Sequence, residues 1–215
     1  MKKSFFIALL FCVGGLAYGQ ILIKDFPEGY YYTYDDFVAK KVRPAVRLER
    51  MTMGYERIHQ DSIQDQVFFF RVKDAEKVDD IFAISYRGNL YIRQREMSKR
   101  AKKGDGDQSG SNPNSYHRVI KDGEFLYLEG SFGSSWGKGL AYGSGGAVGG
   151  AIGANINKLK GVIYDPSTKK FDFFKKCKDF QEFLNYRQYS GTIDCKNYDI
   201  VTVREIIDKL IQPNQ

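Results

Sequence analysis

Short blocks of β-branched and aromatic residues dominate the middle of the chain, and apolar residues recur at helical spacing near its two ends. Val67-Phe68-Phe69-Phe70-Arg71-Val72 and Ile81-Phe82-Ala83-Ile84-Ser85-Tyr86 read as strands. Arg87-Gly88-Asn89 turns the second of these into Leu90-Tyr91-Ile92-Arg93, which predicts a hairpin. A second hairpin is expected to join Tyr116–Lys121 to Glu124–Leu128 through Asp122-Gly123, a strong two-residue turn signal. A third joins Gly161–Tyr164 to Phe171–Phe174 across Asp165-Pro166-Ser167-Thr168. Local hairpins of this kind imply a mainly antiparallel sheet.

Helices flank it. Thr33 and Asp36 have capping-box spacing, with Tyr32 and Phe37 at staple positions, so a short helix is expected over 34–41 before Pro44. Near the C-terminus, Asp179 with Glu182 and Thr202 with Glu205 read as two further capping pairs. They precede Phe180, Phe183 and Leu184 in one case, and Val203, Ile206, Ile207 and Leu210 in the other. Each such helix has one apolar face that must be buried, which makes the class α+β.

Two segments break this order. About residues 93–115, basic side chains give way to Gly, Ser, Asn and Asp, the composition of a flexible exposed loop. Residues 139–157 carry no charge and alternate glycine with small apolar residues. At helical spacing Gly145, Gly149 and Gly153 form one stripe, with Val148, Ile152 and Ile156 beside it. Each interior glycine costs about 1 kcal/mol against alanine, so such a helix would not persist alone in water. It needs a close-packed neighbour, whether the protein's own sheet, a second copy or a bilayer; a loop is the remaining alternative. The small-xxx-small spacing suits helix–helix contact in a membrane, yet the stretch has few large apolar residues to drive insertion.

With 215 residues, 42% hydrophobic and 27% charged, the chain fits one domain and excludes collagen-like, coiled-coil and wholly disordered classes. Residues 1–19 have the form of a secretory signal peptide: Lys2 and Lys3, an uncharged run from Phe5 to Val13, then Ala17-Tyr18-Gly19. Cleavage there leaves a single domain over 20–215, exported to the periplasm, the outer envelope or the medium. It also removes Cys12, so that Cys177 and Cys195 remain in a disulfide-permissive compartment and are expected to pair. The formal charge of +7 falls by two with the loss of Lys2 and Lys3. A modest excess outside the cytoplasm argues against nucleic acid as a partner and suits anionic envelope surfaces.

No motif for catalysis survives scrutiny of its surroundings. Gly133-Ser134-Ser135-Trp136-Gly137 matches G-x-S-x-G, but His59 and His117 both precede Ser135, the reverse of the hydrolase order. Asp105-Gly106-Asp107-Gln108-Ser109-Gly110 opens like a calcium loop, yet its twelfth position is Tyr116 and cannot supply a bidentate carboxylate. Two histidines and two paired cysteines make no standard zinc set, and neither a dinucleotide nor a Walker motif is present. No catalytic, cofactor-binding or metal residue is therefore assigned. Tyr30, Tyr31, Tyr32 and Tyr34 raise a sugar-stacking alternative, against a structural role in the sheet.

The segment Gly29-Tyr30-Tyr31-Tyr32-Thr33-Tyr34-Asp35-Asp36-Phe37 followed by Lys40-Lys41 resembles the opening of a family of uncharacterised exported proteins of Gram-negative bacteria, a domain-of-unknown-function family. Ile81-Phe82-Ala83 before Leu90-Tyr91-Ile92, the Gly-rich stretch, and Val162-Ile163-Tyr164-Asp165 leading into Phe171 extend the resemblance. It implies export and brings no catalytic residues. The expected function is a non-enzymatic binding or structural module of the cell envelope, associating with a membrane, a second copy or another envelope component through 139–157. The competing expectation is a hydrolase of envelope polymers.

Overall fold

The Arg87-Gly88 hairpin sits within the sheet: both turn residues have positive φ, 51° and 72°, as a type I′ turn requires. The computed structural model describes residues 20–44, 47–110, 112–133 and 159–211. The anticipated signal peptide and the whole of 139–157 lie outside the described residues. Among the described residues nine strands are present: β1 (Gly29–Tyr31), β2 (Leu48–Met51), β3 (Gln66–Arg71), β4 (Ala83–Tyr86), β5 (Asn89–Arg93), β6 (Tyr116–Lys121), β7 (Leu126–Gly130), β8 (Lys160–Asp165) and β9 (Lys170–Phe173). All pair antiparallel in the order β1-β4-β5-β6-β7-β8-β9, while β3 branches from β6 and carries β2. The described helices are α1 (Tyr34–Val38), α2 (Gln94–Lys99), α3 (Cys177–Tyr186) and α4 (Ile200–Ile211). The class is α+β, with hairpins as its main unit.

Side-chain alternation divides the core. On one face Ile92, Leu128, Val162, Tyr164 and Phe173 form a cluster closed by Phe37 of α1. On the other, Phe69, Ile84, Tyr91 and Tyr116 fill the first half of the sheet. Tyr127 and Ile163 fill the second half beneath Phe180 and Phe183 of α3 and Val203, Ile206 and Ile207 of α4. The aromatic content is thus mostly core.

Several local expectations shift. The 33–36 capping box forms, with Thr33 Oγ1 accepting from Asp36 N–H at 3.0 Å and Asp36 accepting from Thr33 N–H at 3.1 Å. The helix ends at Val38, and no staple is needed: Tyr32 packs with the second cluster while Phe37 packs with the first. Asp179 is not the N-cap, because α3 already begins at Cys177; it stands at the third helical position, from which its carboxylate caps the N–H of Lys176 at 2.8 Å. Thr202 likewise lies inside α4, where Asp199 caps it by accepting the Thr202 N–H at 2.8 Å. The Asp122-Gly123 hairpin is longer than expected. Gly123 exchanges backbone hydrogen bonds with Ile21, and Asp122 accepts from Ile23 N–H, so β7 resumes only at Leu126.

The segment 93–115 is not a loop throughout. Arg93 ends β5, and α2 follows with Gln94, Glu96 and Met97 buried. Glu96 draws Arg93, Lys99 and Arg100 to itself, which converts a run of repelling cations into a helix end with compensated charge. Those partners hold its carboxyl below the usual range, against burial that pushes it up.

Candidate functional site

Strands β7 and β8 meet at their open ends, with Glu129 opposite Gly161 and Gly130 opposite Lys160. Residues 131–159 therefore leave the sheet and return to it at one place, and a tight turn would have satisfied the same pairing. Ser135 and the stripe residues Gly145, Val148, Gly149, Ile152, Gly153 and Ile156 belong to this excursion and lie outside the described residues. At its base Phe132 is buried, and its carbonyl accepts from the Lys160 ammonium. Gly133 bridges to Ser109, and a Cβ on Gly161 would come within 2.9 Å of the Tyr127 ring.

Beside this base is a cavity of about 590 Å³, within the range of ligand-binding pockets. It lies between the start of β8, the chain leaving β9 and the first turn of α4. Leu159, Phe174, Ile200 and Val203 provide apolar wall, with Tyr198 beside them. Lys160, Lys175, Lys176 and Asp199 supply the charge. Lys175 is anchored to Asp105 at 2.7 Å. Asp199 is occupied as a helix cap, and the amide it accepts from lowers its pKa. A second cavity, about 490 Å³, contains Arg187 between Glu124 at 3.2 Å and Asp165 at 3.6 Å, so that charge is already compensated.

Behind the base lies a buried polar network. Ser115, just before β6, and His117 are both fully buried, two residues apart and therefore on one face. His117 Nδ1 donates to the Glu129 carbonyl at 3.0 Å, while Nε2 lies 3.0 Å from Gln94 Oε1 and 3.4 Å from Ser115 Oγ. An acceptor at each ring nitrogen favours a second proton; burial opposes it and wins, bringing the pKa from 6.5 down to about 4. The Glu129 carboxylate accepts from Arg204 Nε at 2.6 Å and from the Tyr127 hydroxyl at 2.9 Å.

The Ser115–His117 pair has the composition of a nucleophile and its base, but not the access. Ser115 Oγ is within hydrogen-bond distance of Gln66, Gln94 and Asn112, and no solvent reaches it. Sequence reading missed this pair; the Ser-x-His spacing at the start of a strand was the available signal. The calcium-like loop also has its acids engaged. Asp105 accepts from Phe173 N–H and pairs with Lys175, and Asp107 accepts from Ser98 and Ser109. Among the described residues no group of three or more His, Cys, Asp or Glu side chains is placed to hold a metal. Tyr30 and Tyr31 are buried in the core, where sugar cannot stack on them.

Cys177 and Cys195 are joined as expected, across a sequence separation of 18, tying the start of α3 to the 3-10 turn Cys195–Asn197. The chain matches no protein-family model, and no match is found among curated proteins or solved structures.

Proposed function

We propose that this protein is an exported, non-enzymatic module of the cell envelope whose antiparallel domain carries residues 139–157 to a membrane surface. The observation that carries this reading is the β7–β8 register: with Gly130 opposite Lys160, the uncharged Gly-rich tract is an excursion that the sheet does not need for its own closure. A tract poor in bulky side chains requires a partner surface, and Lys160, where the chain re-enters the sheet, lies on one cavity with Lys176. Lys175 is paired with Asp105 at 2.7 Å, and the exposed Lys176 beside it suits an anionic headgroup layer, where a lysine near the surface contributes about 1 kcal/mol. Among the described residues no helix is long and apolar enough to cross a membrane.

The secretory leader, the cysteine pair and the resemblance to exported proteins support the compartment. The non-enzymatic part rests on how the polar groups are used: the Ser115–His117 pair is closed to solvent, and the acids of the 105–110 loop are committed to internal bonds.

Membrane fractionation tests the proposal. The mature protein is expected in the membrane fraction after a high-salt wash, and replacing 139–157 by a short Gly-Ser linker is expected to release it. Full release of the unaltered protein by salt, with no change on replacement, overturns the membrane reading. Should the tract instead join copies, light scattering of the soluble protein will show mass rising with concentration, and Gly149→Leu will abolish the rise.

A further inference from the structure

We infer that the cavity where the β6–β7 turn, the β8–β9 turn and the C-terminus of α3 converge binds a neutral saccharide, stacked on Tyr186 and hydrogen-bonded between Arg187 and Asp165. The cavity measures about 490 Å³, within the range of small-ligand sites. Glu124, Asp165, Ser167, Tyr186, Arg187 and Gln188 supply its polar and aromatic lining. Every one of them lies among the described residues, and the site owes nothing to the membrane reading.

The charge pattern selects the ligand. Glu124 accepts from Arg187 Nη1 at 3.2 Å, whereas Asp165 Oδ2 stands 3.6 Å from Nη2, beyond hydrogen-bond distance. The other oxygen of Asp165, whose side chain is only 9% exposed, accepts from both the N–H and the hydroxyl of Ser167. A charged donor and a charged acceptor thus stand side by side unjoined. An alcohol joins them, because one hydroxyl accepts from Nη2 while donating to Oδ2. An ammonium serves only the acceptor and lies against the arginine. A phosphate or carboxylate serves only the donor and lies against two carboxylates.

An aromatic platform adjoins this pair. Tyr186 is 61% exposed, and the Arg187 guanidinium lies 5.6 Å from its ring centroid. A pyranose with equatorial hydroxyls has an apolar face of axial C–H bonds and a polar rim, which matches an exposed tyrosine beside hydrogen-bonding groups. Gln188 brings an amide to the same cavity from a backbone at φ 55°. It follows the end of α3, where its N–H bonds the Asn185 carbonyl and the Tyr189 N–H bonds the Leu184 carbonyl, a position that glycine fills with less strain. The strained conformation therefore falls on a residue that lines the cavity.

The test uses the full mature protein, two neutral probes, cellotriose and tri-N-acetylchitotriose, and two charged ones, trigalacturonate and trilysine. Proton–nitrogen correlation spectra follow the Gln188 backbone N–H and the buried Arg187 Nε–H. At least one neutral probe is expected to shift both signals saturably with a Kd of about 1 mM, and each charged probe to bind about tenfold more weakly. Tyr186→Ala is expected to weaken the neutral probe about tenfold while thermal unfolding shows an intact fold. Gln188→Gly is expected to cost no stability, because glycine suits that backbone, and to weaken the neutral probe about threefold. No saturable shift with either neutral probe, tighter binding of a charged probe, or shifts that both variants leave unchanged overturns the inference.

Discussion

Gly130 lies directly against the ring of His117: a Cβ placed on Gly130 would come within 2.4 Å of His117 Cε1 and 2.9 Å of the Phe132 ring. The absence of a side chain at the end of β7 is what leaves room for the buried imidazole, which lies tilted by 39° against the Phe132 ring. Gly130→Ala is therefore expected to destabilise the domain by at least about 1–3 kcal/mol, the usual cost of overpacking. Urea unfolding of the two proteins measures it, and an unchanged midpoint would show that the ring can move aside.

The same imidazole makes stability depend on pH. His117 titrates near 6.5 when unfolded and near 4 in the fold, because burial disfavours its charged form. Between those values the unfolded chain binds the extra proton, so stability is full above about pH 6.5 and falls as pH drops toward 4. A separation of this size corresponds to roughly 3 kcal/mol. Unfolding free energies at pH 7 and pH 4.5 are expected to differ less in His117→Gln than in the unaltered protein. An equal difference in both would show that His117 does not set the stability change in this range; the carboxylates of Asp36, Glu96, Asp107 and Asp199, whose pKa values are lowered, cost stability only at more acidic pH.

Arg204 reaches from α4 to the Glu129 carboxylate, which is only 2% exposed. Arg204→Met leaves that carboxylate with the Tyr127 hydroxyl alone and is expected to cost about 3 kcal/mol, the low end for a broken buried pair, because solvent already screens the arginine. Adding Glu129→Gln is expected to recover part of the loss. Two additive losses would show that the pair does not couple α4 to the sheet.

Reduction of the Cys177–Cys195 bridge is expected to cost about 3 kcal/mol, the chain-entropy value for a loop of this size. The unreduced mature protein should show no reactive thiol. Two titrating thiols, or a melting temperature indifferent to reductant, would sink the expectation.

Much of this architecture was legible along the chain because it is built from neighbours. The Arg87-Gly88 turn, the β8–β9 hairpin and the Thr33–Asp36 box each depend on residues within a few positions of one another, and all three form. Errors arose where distant chain intervened. Ile21 and Ile23 claim the backbone and carboxylate of the Asp122-Gly123 turn, nearly a hundred residues away, and lengthen it. Helix α2 was hidden because a string of cations reads as solvated chain until Glu96 is seen buried among them. The β1 strand was hidden in the tyrosine cluster, whose members Tyr30 and Tyr31 are core.

Residue order by itself determined the hairpins, the cysteine pairing and the composition of the Gly-rich tract, since each is a matter of local spacing or simple count. Only the tertiary structure decided that Gly130 and Lys160 lie opposite one another where the chain leaves and re-enters the sheet, that a cavity lies beside Lys160, and that Ser115 and His117 are sealed inside. Such facts depend on which distant strands and helices come to lie together, and sheet pairing and burial are set by the whole chain at once.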